Sequence, residues 1–264
     1  MLERGVPGGS SPRKPAEPKE ALVAVAHGSA DPRAAAAIGE LIPLVARRAC
    51  ERGLSAPELR VAYLGHAAPS VPQVMGTFGP GAQVTVLPLL LTAAYHSKTD
   101  IPRLLARAGT GRLSVTYGEP LGPHPLLLRA LERRLPEVAL QDPSEVGVVL
   151  AAAGSSDPEA NAIVARLAAQ WQASAGWFAV RPAYASAARP APAQVVAELL
   201  KAGARRVVVA SYLLAPGLFA DRIRDASLAA GAAAVSPALG ATPEVADVIL
   251  DRYQEAAVRE RIAA

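Results

Sequence analysis

A short phrase occurs twice in this chain, and the repetition restricts the fold more than any other feature. His27-Gly28-Ser29-Ala30-Asp31-Pro32 follows the apolar run Ala21–Ala26, and Gly154-Ser155-Ser156-Asp157-Pro158 follows Val146–Ala153, an offset of 126 residues from Gly28 to Gly154. The agreement continues downstream in the same order. Tyr63 through Gln73 resembles Tyr184 through Gln194, Val84–Leu91 resembles Val207–Leu214, and Pro120 through Pro125 resembles Ala238 through Pro243. Self-similarity of this kind marks two copies of one folding unit.

Each unit alternates short apolar runs with longer stretches of helical period. In the first unit, strands are expected at Ala21–Ala26, Arg60–Leu64, Gln83–Leu91 and Leu113–Tyr117. Helices are expected from Asp31 to about Arg52, over Pro69–Phe78, from Asp100 to about Ala108, and over Pro125–Leu135. Pro32 behind an acidic residue is a helix start signal. Strands separated by helices pair in parallel, so the expected fold is α/β. It comprises two homologous flavodoxin-like domains, each a four-stranded parallel sheet flanked by helices. The expected division is a disordered tail over residues 1–19, an N-terminal domain over 20–140 that carries the active site, and a degenerate C-terminal repeat over 145–264. The tail reading rests on its Pro, Gly, Ser and charge.

Composition narrows the partners. Hydrophobic residues make up 51% of the 264 residues, enough for buried cores throughout, and the net charge is only +4. No basic run is interleaved with aromatic residues, so nucleic-acid binding is not expected. The apolar stretches are too short to span a membrane. The first twenty residues lack the apolar core of a signal peptide, which points to the cytoplasm. Cys50 is the single cysteine, so no intramolecular disulfide or cysteine metal cluster is expected. With its repeats paired internally, the chain is expected to be a monomer with pseudo-dimeric repeats.

The histidines are distributed unevenly. His27, His66, His96 and His124 all lie in the first half, and their approximate counterparts are Ala153, Ala187, Phe219 and Thr242. The simplest account gives metal or proton chemistry to one half and makes the other a scaffold. In a sheet of order 2-1-3-4 the first and third strands are neighbours, and their C-terminal ends form the crevice where ligands bind. His27 directly follows the first strand and His96 lies a few residues beyond the third. Both are therefore candidate metal ligands and catalytic bases, since imidazole binds Co, Fe, Ni or Zn and accepts protons near neutral pH. His66 either lines the cleft or is solvated. His124, before Pro125, suits a local role at a helix start. Gly28 and Ser29 serve either a close backbone approach to an anion or a plain tight turn.

At these residues the chain resembles the sirohydrochlorin chelatases, the class II chelatases of sirohaem and cobalamin synthesis, in their long, two-repeat form. The motifs are Ala26-His27-Gly28-Ser29 with Asp31-Pro32-Arg33, Leu90-Leu91-Thr92-Ala93-Ala94-Tyr95-His96 with Asp100-Ile101-Pro102, and Pro120-Leu121-Gly122-Pro123-His124-Pro125. The resemblance implies a lyase with chelatase-like domains that inserts a divalent metal into sirohydrochlorin without ATP. His27 and His96 would hold the metal and help remove the pyrrole protons. No cofactor is implied beyond the metal substrate, Fe2+ or Co2+, with Ni2+ accepted by similar ligands. The lack of a His-rich tract tilts the reading toward iron. Some members carry an acid just after the second strand, where this chain has Gly65, with His66 next door. The substrate's carboxylates call for cations at the mouth, and Arg33, Lys98 and Arg103 are nearest in sequence. The rival reading is a non-catalytic metal or tetrapyrrole carrier on the same fold.

Overall fold

The computed structural model describes residues 20–92, 100–108, 110–135 and 142–263. The tail over residues 1–19, His96 and Lys98 lie outside the described residues. The first half contains β1 (Ala21–Ala26), α1 (Pro32–Gly39), α2 (Leu41–Glu51), β2 (Glu58–Tyr63), α3 (Val71–Met75), β3 (Gln83–Pro88), α4 (Ile101–Arg107), β4 (Ser114–Tyr117) and α5 (Pro125–Arg134). The second half contains β5 (Val146–Ala152), α6 (Pro158–Ser174), β6 (Ala179–Tyr184), α7 (Pro192–Lys201), β7 (Arg206–Tyr212), α8 (Leu218–Ala229), β8 (Ala234–Val235) and α9 (Pro243–Ala263).

Two four-stranded sheets result, ordered β2-β1-β3-β4 and β6-β5-β7-β8. Every strand pair is parallel. The central position of β1 explains its sequence: a strand covered on both faces reads as an uninterrupted apolar run, and all of Ala21–Ala26 is buried. Its register sets the site. Ala26 lies opposite Tyr63 of β2, and Val25 opposite Pro88 of β3, so the three C-terminal ends meet at one edge.

The helix expected over Pro69–Phe78 shortens to Val71–Met75 and the strand expected over Arg60–Leu64 shifts to Glu58–Tyr63; two further departures trace to proline. The helix expected from Asp31 to Arg52 is two helices parted at Glu40. Pro43 has no N–H to give the carbonyl of Gly39, and its ring crowds that carbonyl. Likewise β3 stops at Pro88 rather than Leu91. Leu89 N–H makes one more bond, 2.8 Å to the Val25 carbonyl, and the chain then leaves the sheet.

Alternation along the central strands divides the core into three. Leu22, Ala24 and Ala26 of β1 join Val148, Leu150 and Ala152 of β5 in a core shared by the two sheets. Ala21, Val23 and Val25 face the other way, onto Val71, Met75 and Ile101. Val149 and Ala151 do the same against Val195, Val196 and Ile223. The last helix of each half crosses to the other. Helix α9 packs on α2, β3 and β4, while α5 contacts β7. Polar bonds register the exchange: Arg48 holds Asp247 at 3.0 and 2.7 Å, Arg252 donates to the carbonyls of Pro120 and Pro123 at 2.9 and 2.8 Å, and Trp171 Nε1 donates to Glu132 at 3.0 Å. Among the described residues, no helix is long and apolar enough to cross a membrane.

Candidate functional site at the crevice between the halves

His27 is the first residue beyond β1, exposed at the meeting point of the strand ends. Packing fixes the turn that leads from it into α1. Gly28 has φ +87°, and a Cβ there would lie 1.8 Å from the carbonyl oxygen of Gly65. Only glycine permits that backbone and that approach. Ser29 Oγ then accepts from Asp31 N–H at 3.1 Å, and Asp31 accepts from Arg33 N–H at 2.9 Å, capping α1. The plain turn therefore accounts for Gly28 and Ser29 with no anion invoked. Gly154, Ser155 and Asp157 repeat the arrangement at the start of α6.

The contact between Gly28 and Gly65 brings the loop after β2 against His27. Gly65 N–H donates to the His27 carbonyl at 3.2 Å. Ala67 N–H donates back to the Gly65 carbonyl at 2.8 Å, closing a three-residue turn around His66, whose φ is +59°. Such turns are rare and strained for a residue with a side chain. The second half keeps the same turn with Ala187 at φ +55°, so the strain belongs to the loop, and the first half uses it to display an imidazole.

Among the described residues, His27 lines three cavities. One of about 350 Å³ is lined also by Gly65, His66, Asp100, Arg103 and Arg107. A second, about 590 Å³, runs between the halves past Leu89 to Thr92, Ala153, Gly154, Tyr212 and Phe219. The third, about 280 Å³, lies under Tyr63, Leu89, Leu213, Leu218 and Phe219. His96 is outside the described residues. Thr92 and Asp100 each line a cavity that His27 also lines. Among the described residues, which do not include His96, no three of His, Cys, Asp and Glu stand together as a metal site.

The chain leading out of β3 is held from the second half. Tyr212, buried at the end of β7, donates its hydroxyl to the Leu91 carbonyl at 3.0 Å, and burial pushes its phenol well above the usual range. Gly122 closes in from the other side, where a Cβ would lie 2.0 Å from the same carbonyl oxygen and 2.7 Å from the tyrosine hydroxyl.

Charge around the crevice is uneven. Arg33 is engaged: it binds Asp31 at 2.5 Å and, across the crevice, Asp221 of α8 at 2.6 Å. Hydrogen bonding to its guanidinium holds both carboxyls below the usual range. Arg103 and Arg107, one turn apart on α4, face the 350 Å³ cavity, and neither pairs with a carboxylate among the described residues. His124 stays local. Its Nδ1 accepts from Leu126 N–H at 3.3 Å, making it the N-cap of α5. Burial first, then Arg252, lowers its pKa against the opposing pull of Asp251 and Glu255.

Sequence reasoning missed Arg107, Tyr212, Leu218 and Phe219 as crevice residues. Arg107 carried a signal, the i, i+4 spacing from Arg103 that puts both on one helix face. Phe219 carried another, an aromatic standing where the first half has His96. Tyr212 read as an ordinary strand residue, because nothing local announces a hydrogen bond to a carbonyl 121 residues away.

Comparison with known proteins agrees with the two-repeat fold. The profile of the CbiX family matches residues 21–138 and again residues 147–256. The chain is 28% identical over 248 residues to the sirohydrochlorin ferrochelatase of Bacillus subtilis (strain 168), covering 90% of this chain and 92% of that protein. It is 31% identical over 170 residues to the sirohydrochlorin cobaltochelatase of Priestia megaterium, covering 62% of this chain and 56% of that relative's length. The solved structure of SirB from Bacillus subtilis with Fe3+ superposes with a TM-score of 0.75 at 25% identity, covering 92% of this chain and 97% of that one.

Proposed function

The chain belongs to the CbiX family, and from that premise we propose that it is a sirohydrochlorin chelatase, inserting Fe2+, or Co2+, into sirohydrochlorin without ATP. The observation that carries the reading is the position of His27, where one imidazole faces an apolar crevice between the halves and a basic cavity beside it. Metallation needs a desolvated metal held loosely, acceptors for two pyrrole protons, and a grip on a large ring. His27 and His96 hold the metal; a site with only two protein ligands keeps positions open, which suits transfer. As the ring nitrogens close on the metal, each N–H bond gives its proton to a base and its electron pair to the metal. Imidazole accepts such protons without strong activation. His66, displayed in the same cavity as His27, is the third nitrogen at hand where the chain has glycine rather than an acid at position 65.

Arg103 and Arg107 take the carboxylates of the ring's periphery, as guanidinium does through paired hydrogen bonds. The protein's place is in sirohaem or cobalamin synthesis, in the cytoplasm, as a monomer whose halves form a pseudo-dimer, with no cofactor beyond the metal it transfers. The carrier reading is separated by one assay. Anaerobic absorbance spectroscopy of sirohydrochlorin with Fe(II) or Co(II) should show metallation well above the spontaneous rate. Binding of the tetrapyrrole with metallation never exceeding that rate would make the protein a carrier.

A further inference from the structure

We propose that the second half, although it lacks histidine, forms one wall of the substrate site: Leu218 and Phe219, at the start of α8, make an apolar lip on which the tetrapyrrole ring rests. The proposal deepens the chelatase reading and depends on it. Three observations carry it. Both side chains are large, apolar and left exposed, Leu218 at 61% and Phe219 at 38%. They are consecutive, and both line the 280 Å³ cavity with His27, while Phe219 also lines the 590 Å³ cavity with His27. An adjoining apolar pair kept open to water beside a candidate ligand-binding histidine marks a binding surface.

The lip is also held in register. Asp221, in the first turn of α8, takes the guanidinium of Arg33 from α1 at 2.6 Å, tying the start of α8 to the helix that begins just beyond His27. The pair is exposed and adds little stability, but it fixes where Leu218 and Phe219 stand relative to the first half. The chemistry of the occupant fits. A tetrapyrrole presents a broad flat face without charge and carries its carboxylates at the edge. Aromatic and branched aliphatic side chains bind such a face by stacking and by removing it from water. The repeat thus diverged in kind at this position: the first half has an imidazole after its third strand, and the second has a phenyl ring.

The test uses the full chain and steady-state metallation with each substrate varied in turn. Phe219→Ala should raise KM for sirohydrochlorin about tenfold, the scale on which one aromatic stacking partner is lost. Leu218→Ala should raise it less. KM for Co(II) and the melting temperature should not move, because exposed side chains carry no fold, and Phe219→Trp should restore KM. A damaged fold would shift both KM values together, and that pattern would overturn the proposal, as would wild-type KM in both alanine variants. Sedimentation velocity covers the other occupant. A wild-type dimer that Phe219→Ala dissociates without changing KM would assign the surface to a second copy. A wild type that neither binds nor metallates sirohydrochlorin would remove the chelatase reading itself, and the lip with it.

Discussion

His124 has a structural task at the start of α5. As the N-cap of α5 it must present an unprotonated Nδ1 to Leu126 N–H. The neutral ring is the form that burial favours, so its pKa in the folded protein lies below the ordinary value of about 6.5. A group with a lowered folded pKa lends stability above its unfolded pKa and loses it as pH falls through the folded one. Melting temperature should therefore decline below about pH 6.5. His124→Asn, which keeps an N-cap acceptor without titrating, should flatten that decline. Identical slopes in the two proteins would contradict the capping role. At this scale the sequence is partly legible. The proline after His124 announces a helix start, whereas the histidines of the proposed site stand out only because the second half has none.

Among the elements, the turn between β1 and α1 carries the most consequence. Gly28 is required twice over, by its φ of +87° and by the Gly65 carbonyl 1.8 Å from where a Cβ would stand. Gly39, at the end of α1, has nothing within 4 Å of its own hypothetical Cβ. The same substitution should then act with opposite sign. Gly28→Ala should cost roughly 2–4 kcal/mol, in the range of strain and overpacking combined, while Gly39→Ala should add about 0.5–1 kcal/mol. Urea denaturation measures both, and a shared sign would contradict these roles. Strand positions and order follow from apolar runs and from the repeat, because period and burial are local properties of sequence. The break at Glu40 is also written locally, in Pro43, but the alanine-rich flanks read as one helix and mask it. The bond between Tyr212 and Leu91 leaves no local trace at all.

For the molecule as a whole, the exchange of α5 and α9 decides how it unfolds. The amphipathic faces of Pro125–Arg134 and of Pro243 onward reveal that each covers a sheet, but not which one, so the exchange is invisible in the sequence. In the structure Val248, Ile249 and Leu250 of α9 belong to the core that also holds Leu22 of β1 and Leu150 of β5. Two sheets that share a core and trade helices cannot melt separately. Calorimetry should record one transition with equal calorimetric and van't Hoff enthalpies. Two resolved transitions would mean that the halves are independent domains. The shared core also explains why the crevice exists: it holds the C-terminal edges of both sheets close enough for β7 and α8 to wall the proposed site, whose histidines come only from the first half.

The proposed metal insertion rests, above all, on two imidazoles acting on one metal ion. Anaerobic single-turnover metallation of sirohydrochlorin by the wild type, His27→Ala and His96→Ala probes that requirement most directly. We predict a wild-type rate far above the spontaneous one, and a fall to the spontaneous rate in each variant with the melting temperature unchanged. Wild-type turnover in either variant would show that the metal is held elsewhere.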